Sequence, residues 1–369
     1  RDKLVTGVQT CALPIYVEYA KVKFQAERHP ARWYQMEMFG QQKYPEIAIS
    51  PIAVNNEVKV ADAAIVTIGR QAGEGVDREI DGEFNLNKDE LRLIYDVCNA
   101  FHSAGKPVVV IINSGSVIET SSWSGYPDAI LCAWQPGEEG GNSIADILLG
   151  KVNPSGKLTM TWPIAAEDHP STQNYPGKID LYTYDTSKAN GHPVPGYDFT
   201  NHEEDIYVGY RYFDTFNRTV AYPFGYGLSY TTFEYGQPTV RMKGKEIEVT
   251  VKITNTGKVA GKEVVQVYVS APKGRMEKPS KELKAFGKTR ELKPGESQTL
   301  KMTLQHRDLA SFDESQSAWV VDPGTYLFKV GANVSDIRGT AQLKVRDLVE
   351  PVSNALAPQQ EINKLRLSK

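Results

Sequence analysis

A chain of 369 residues exceeds the ~100–150 residues of a typical domain and predicts at least two separate cores. Lysine and arginine number 42 against 45 aspartates and glutamates, a net charge of −3, so no field draws the chain toward nucleic acid or an anionic membrane surface. A hydrophobic content of 40% with 12 Phe, 5 Trp and 19 Tyr excludes a chain disordered throughout, and the longest aliphatic run, Val108 to Ile112, falls far short of the ~18 residues of a membrane-spanning helix.

The first residue is Arg1, not methionine, and Val5 to Ile15, VTGVQTCALPI, looks like translated sequencing-adapter read-through. Residues 1–15 are therefore set aside from the fold, and the natural beginning is expected upstream. Residues 16–61 are aromatic and charged without periodicity and are taken as a connector or the remnant of a preceding region. From Asp62 the text becomes regular. Ala63 to Ile68 is a short apolar, β-branched run that predicts a buried parallel strand ending near Gly69. Leu91, Ile94, Val97, Cys98 and Phe101 then recur at helical spacing behind Asn87, a cap candidate, and the helix is expected to stop near Gly105-Lys106-Pro107. Val108 to Ile112 and Ala129 to Trp134 predict two more strands, and Ile144, Ala145, Ile147 and Leu148 another helix ending at Gly150. Strands alternating with helices over residues 62–229 give an α/β sandwich with a mainly parallel sheet.

Beyond about Tyr230 the pattern changes. Ile247, Val249, Val251 and Ile253 alternate with polar residues and run into the turn signal Asn255-Thr256-Gly257. Similar runs follow at Val264 to Val269, at Leu300, Met302 and Leu304, at Tyr326 to Val330 and at Gln342 to Val345. Residues 230–347 are accordingly expected to form an immunoglobulin-like β-sandwich. The polar tail, residues 348–369, is expected to be a solvated extension.

Several motifs fail on inspection. Gly73-Glu74-Gly75 opens a dinucleotide-type glycine motif, but Arg78 stands where the third glycine belongs. Gly150 to Leu158 has five residues between its glycines and Leu158 where a phosphate loop needs Ser or Thr. His202-Glu203 has no second histidine at zinc-protease spacing, no serine sits in a GxSxG elbow, and Cys11, Cys98 and Cys132 form neither a disulfide framework nor a CxxC pair. No metal or organic cofactor is expected.

The loop after the first strand, Gly69 to Phe84, is rich in carboxylates and leaves the carboxyl end of a parallel strand, the edge at which open α/β sheets bind ligands. Glu74 lies between two glycines that allow close approach to a substrate, and a carboxylic acid there could protonate a leaving oxygen; a solvated acidic loop fits the same text. Asp77-Arg78 reads as a local structural ion pair. Thirteen aromatics lie between Tyr197 and Tyr235, a density that suits core packing better than sugar stacking.

Longer stretches carry a resemblance. GRQAGEGVDR (Gly69 to Arg78), GKPVVVIINSGSVIE (Gly105 to Glu119), AWQPGEEGGNSIADILLGKVNPSGKLTMTWP (Ala133 to Pro163), IYVGYRYFD (Ile206 to Asp214) and YPFGYGLSYTTFEY (Tyr222 to Tyr235) together resemble glycoside hydrolase family 3, especially its bacterial β-glucosidases. Ile253 to Val269 and Leu283 to Leu292 resemble the family's fibronectin type III-like terminal domain. The resemblance implies that a (β/α)₈ barrel bearing the nucleophile precedes the part seen here, and no such repeat or nucleophile motif occurs before Asp62. It also implies that Glu74 is the general acid/base of a retaining β-glucosidase, with an oligosaccharide or aryl β-glucoside as substrate, no cofactor, no nucleic acid and no membrane. This chain alone is then expected to be inactive. A non-catalytic carbohydrate-binding or scaffold module is the alternative. Sugar preference, oligomeric state and compartment, cytoplasmic or periplasmic and secreted, are left open.

Overall fold

The computed structural model describes residues 4–6, 51–70, 78–174, 178–179, 198–199, 201–353, 355 and 362–367. Cys11, Glu74 and Asp77 lie outside these residues, as does most of the stretch before Pro51. Packing divides the chain into two compact units, Arg1–Leu149 and Gly150–Lys369.

The first unit is built on a four-stranded parallel sheet in the order β1 (Leu4–Thr6), β2 (Ala63–Gly69), β3 (Val108–Asn113), β4 (Ala129–Cys132). Leu4–Thr6, set aside on sequence grounds, pairs with Ala63–Ile65. The apolar β2 run is buried from Ala64 to Gly69, as a strand covered on both faces requires. A short helix α1 (Pro51–Glu57) precedes it, and α2 (Lys88–Ser103) joins it to β3. The expected cap holds: the Asn87 side chain accepts from the N–H groups of Asp89 and Glu90, and the Glu90 carboxylate accepts from the Asn87 N–H at 2.8 Å. Ile94, Val97, Cys98 and Phe101 form the buried stripe, and the helix ends at Gly105, whose φ of 68° suits glycine. After β4 comes α3 (Gly140–Leu148). Burial pushes the thiols of Cys98 and Cys132 up to about 11, which leaves both as inert packing groups at neutral pH.

The second unit is mostly antiparallel. It contains a two-residue pair, β5 (Lys178–Ile179) with β6 (Asp198–Phe199), a short helix α4 (Tyr210–Thr215), and then the sandwich strands β7 (Phe233–Tyr235), β8 (Thr239–Lys243), β9 (Glu246–Asn255), β10 (Val264–Ser270), β11 (Glu282–Lys288), β12 (Ser297–Gln305), β13 (Ser311–Asp313), β14 (Ala318–Val321), β15 (Gly324–Gly331), β16 (Ile337–Val345) and β17 (Leu348–Pro351). One sheet runs β11-β10-β15-β16; another runs β12-β9-β7 with β8 also on β9; a third, of three strands, runs β13-β14-β17. Ile247, Val249, Val251 and Ile253 are at most 1% exposed and meet Val265, Val267, Tyr326, Phe328 and Val330 in one core. Period-two alternation puts these side chains on the inner faces.

This unit begins well before the change of strand pattern at Tyr230. Backbone bonds tie Leu158 to Tyr226 and Trp162 to Tyr222, and the Asn153 side chain donates to the Ala260 carbonyl while accepting from the Ser229 hydroxyl and the Tyr230 N–H. Gly225, at φ 81°, is held by the Gln266 amide, which also reaches the Ala332 carbonyl; a Cβ at this glycine would collide with that amide. The aromatic crowd packs as expected: Tyr207, Tyr212 and Phe213 are buried together, and Tyr210 stacks on Phe224 at 4.6 Å.

The tail departs from the solvated extension expected of it. Leu348–Pro351 is β17, paired with β14, because Leu348 finds an apolar place against the sandwich core. Farther on, the Leu365 N–H donates to the Glu203 carbonyl at 2.6 Å and its side chain packs on the Tyr207 cluster, while Arg366 reaches Asp205 at 3.2 Å. Polar composition hid these few anchoring groups.

Candidate active site

Glu74 lies outside the described residues, yet both ends of the segment that carries it are defined. The chain leaves β2 at Gly69-Arg70 and is described again from Arg78. Arg70 is 7% exposed, and its guanidinium forms a two-pronged pair with Glu90, at 2.7 and 3.0 Å. A third N–H, on Nε, donates to the Glu83 carbonyl at 2.7 Å. Arg78 reaches the same carbonyl, Nη2 to Glu83 O at 2.6 Å, and its Nη1 donates to the Val117 carbonyl at 2.8 Å and to the Ser116 hydroxyl. The arginines on either side of the segment thus converge on one oxygen.

That oxygen is presented by a wide turn over Ile80–Phe84, in which the Phe84 and Asn85 N–H groups bond five residues back, to Glu79 and Ile80. Gly82, at φ 85°, makes the turn possible. The Glu119 N–H donates to the Phe84 carbonyl at 2.8 Å, and the Arg70 N–H to the Asn113 carbonyl at 3.0 Å, so the turn is fastened to the residues that follow β3. Gln135, just past β4, lies against Gly115, where a Cβ would stand 3.1 Å from its side-chain amide. The carboxyl ends of β2, β3 and β4 therefore share one edge, the edge at which open parallel sheets bind ligands. Trp134 sits there with a φ of 53°, a conformation rare for so bulky a residue and typical of sites where the surroundings hold the backbone.

The sequence singled out Glu74 and Arg78 at this edge; the structure gives Arg78 an anchoring task on Ser116, Val117 and Glu83, while Asp77, its expected partner, lies outside the described residues. Arg70, Glu90 and Trp134 went unnoticed, because a long-range ion pair and a strained backbone leave no periodic trace. Among the described residues no group of three His, Cys, Asp or Glu is placed to hold a metal ion, and no helix is long and apolar enough to cross a membrane.

Comparison with known proteins gives two family matches. The profile described as Glycosyl hydrolase family 3 C-terminal domain matches residues 49–230, and the one described as Fibronectin type III-like domain matches residues 263–334. Beta-glucosidase A of Butyrivibrio fibrisolvens is 40% identical over 349 residues, covering 81% of this chain and 39% of that protein. An exo-alpha-(1->6)-L-arabinopyranosidase of Bifidobacterium longum is 36% identical over 286 residues, covering 76% of this chain and 34% of that protein. The structure of beta-glucosidase 3B from Thermotoga neapolitana in complex with glucose superposes with a TM-score of 0.76 at 40% identity, covering 90% of this chain and 45% of that one. The chain thus spans between about a third and just under half of the length of these relatives.

Proposed function

Because the chain belongs to glycoside hydrolase family 3, we propose that it is the C-terminal part of a retaining β-glucosidase that brings the general acid/base, Glu74, to a cleft whose nucleophile comes from an upstream barrel. The observation that most supports this reading is the double arginine anchor. Arg70 and Arg78 both hold the Glu83 carbonyl, which ties the two ends of the Glu74 segment to one point at the carboxyl edge of the sheet.

In the proposed reaction the barrel carboxylate attacks the anomeric carbon while the Glu74 carboxyl passes its proton to the departing oxygen, giving a covalent glycosyl-enzyme. The Glu74 carboxylate then takes a proton from water, which attacks the same carbon and frees the sugar. Two carboxyl groups ~5–5.5 Å apart are needed for this outcome, and this chain supplies one. The reaction balances with water alone and calls on no cofactor. Terminal β-D-glucosides are the default substrate, since most of the named relatives are beta-glucosidases, with the arabinopyranosidase among them as an exception.

The purified 369-residue chain is therefore expected to show no turnover of an aryl β-glucoside above the uncatalysed background. Turnover that disappears on Glu74→Gln would overturn the division of labour. Saturable glycan binding without any turnover once the upstream region is restored would favour a non-catalytic module.

A further inference from the structure

Residues 362–367 belong to no strand or helix, yet they lie against three segments far apart in the sequence: the turn around Asp205, the loop between β10 and β11, and the turn between β13 and β14. The first of these is fixed by its own backbone. The Asp205 N–H donates to the His202 carbonyl at 3.2 Å and the Tyr207 N–H to the Glu204 carbonyl at 2.8 Å. Asp205 takes a φ of 50° there, a region that aspartate enters more readily than most residues.

The two sides carry opposite charge. The tail brings Lys364 and Arg366, and the receiving surface brings Asp205, Glu277 and Glu314. Asp205 stands 3.4 Å from Lys364 and 3.2 Å from Arg366, and Glu314 accepts from Lys364 at 2.5 Å. Glu277 accepts from the Leu367 N–H at 2.6 Å. Between the two cations, Leu365 packs its side chain on the Tyr207, Tyr212 and Phe213 cluster and donates its N–H to the Glu203 carbonyl at 2.6 Å. Three carboxylates facing two cations leave the groove acidic, which suits a basic segment with one apolar key. The contacts are weak one at a time. The side chains of Arg366 and Glu314 are 54% and 63% exposed, and ion pairs so open to water add little each and are screened by salt. The tether compensates, because a segment joined to its own receptor acts at an effective concentration on the order of millimolar.

We propose that residues 362–367 form a reversible strap, a basic segment keyed by Leu365 into the acidic groove over the Tyr207 cluster, and that the groove accepts the same sequence in trans once the chain's own copy is out. None of the residues involved lies near the Glu74 segment in sequence, and the inference does not rest on the catalytic reading.

Hydrogen exchange at the Leu365 and Leu367 amides of the full 369-residue chain reads the strap directly, because both donate to groups of the groove. At about 0.01 M salt these amides are expected to exchange at least about fivefold slower than in a free peptide of residues 362–369. Most of that protection should vanish near about 1 M, as the screening length drops from ~30 to ~3 Å. Asp205→Asn keeps the shape and tolerates the same φ, so it should cost protection at low salt and flatten its salt dependence. Leu365→Asp should release the strap, and the chain so altered should bind the labelled 362–369 peptide saturably, about tenfold or more tighter than the unaltered chain does. Unprotected amides at low salt, protection indifferent to salt, or no saturable peptide binding to the Leu365→Asp chain would overturn the proposal. The first two criteria rest on the unaltered chain and stand even if a variant fails to fold.

Discussion

In the complete enzyme, Glu74→Gln is expected to lower kcat/KM for alkyl β-glucosides by about 10²–10⁴, the usual contribution of a positioned general acid. Glutamine keeps the shape and the hydrogen-bonding reach of the side chain but has no proton to give. An alkoxide departs poorly without one, so these substrates suffer fully. Activated aryl glucosides carry leaving groups that depart as anions, and their first step should be nearly spared. Their second step still lacks the base that activates water, so the glycosyl-enzyme should accumulate, with kcat and KM falling together. Equal losses across the leaving-group series would show that Glu74 holds the substrate or the fold instead of moving the proton.

The second large effect concerns the anchor beneath the loop. Arg70 and Glu90 are 7% and 1% exposed and face each other with two short contacts. Glu90→Ala removes the counter-charge of a buried guanidinium together with half of the Asn87 capping box. Breaking one side of a buried pair costs about 3–5 kcal/mol, and the cap adds about 1 kcal/mol. The first unit should melt several degrees lower, read by calorimetry or by near-ultraviolet circular dichroism. Replacing both partners, Arg70→Met with Glu90→Leu, should recover much of the stability because no charge is left stranded. The same double variant removes the bond from Arg70 to the Glu83 carbonyl, so activity of the complete enzyme should stay impaired while stability returns. A loss below about 1 kcal/mol in Glu90→Ala would mean that water or another group replaces the carboxylate.

Much of the architecture was legible from residue spacing. The buried run at Ala64 to Ile68, the helix behind Asn87 and the alternation from Ile247 to Ile253 are local patterns fixed by periods of two and 3.6, and each became the element it predicted. Short, half-buried strands were not legible. β11 carries Lys, Glu and Gly among its apolar residues, and β13 and β17 span three and four residues. The start of the second unit at Gly150 was hidden because it rests on contacts made far along the chain, such as Asn153 to Ala260. Asn255 shows the same limit. It looked like a turn residue, yet it is fully buried and donates to Val259 and Leu292 while accepting from Thr231 and Gly257. At the candidate site, glycines around a carboxylate pointed to Glu74, but the Arg70–Glu90 pair twenty residues apart left no pattern to read.

The claim that ties these results together is that Glu74 works with a nucleophile encoded upstream of Arg1. A long sequencing read through the source locus, running upstream from the codons of Arg1 to Tyr16, tests it most directly. The account predicts an open frame that continues into a region of barrel size, ~200 residues or more of alternating strands and helices, with the VTGVQTCALPI stretch gone. A start codon immediately before that stretch, with no such region in frame, would leave Glu74 without a partner and contradict the account.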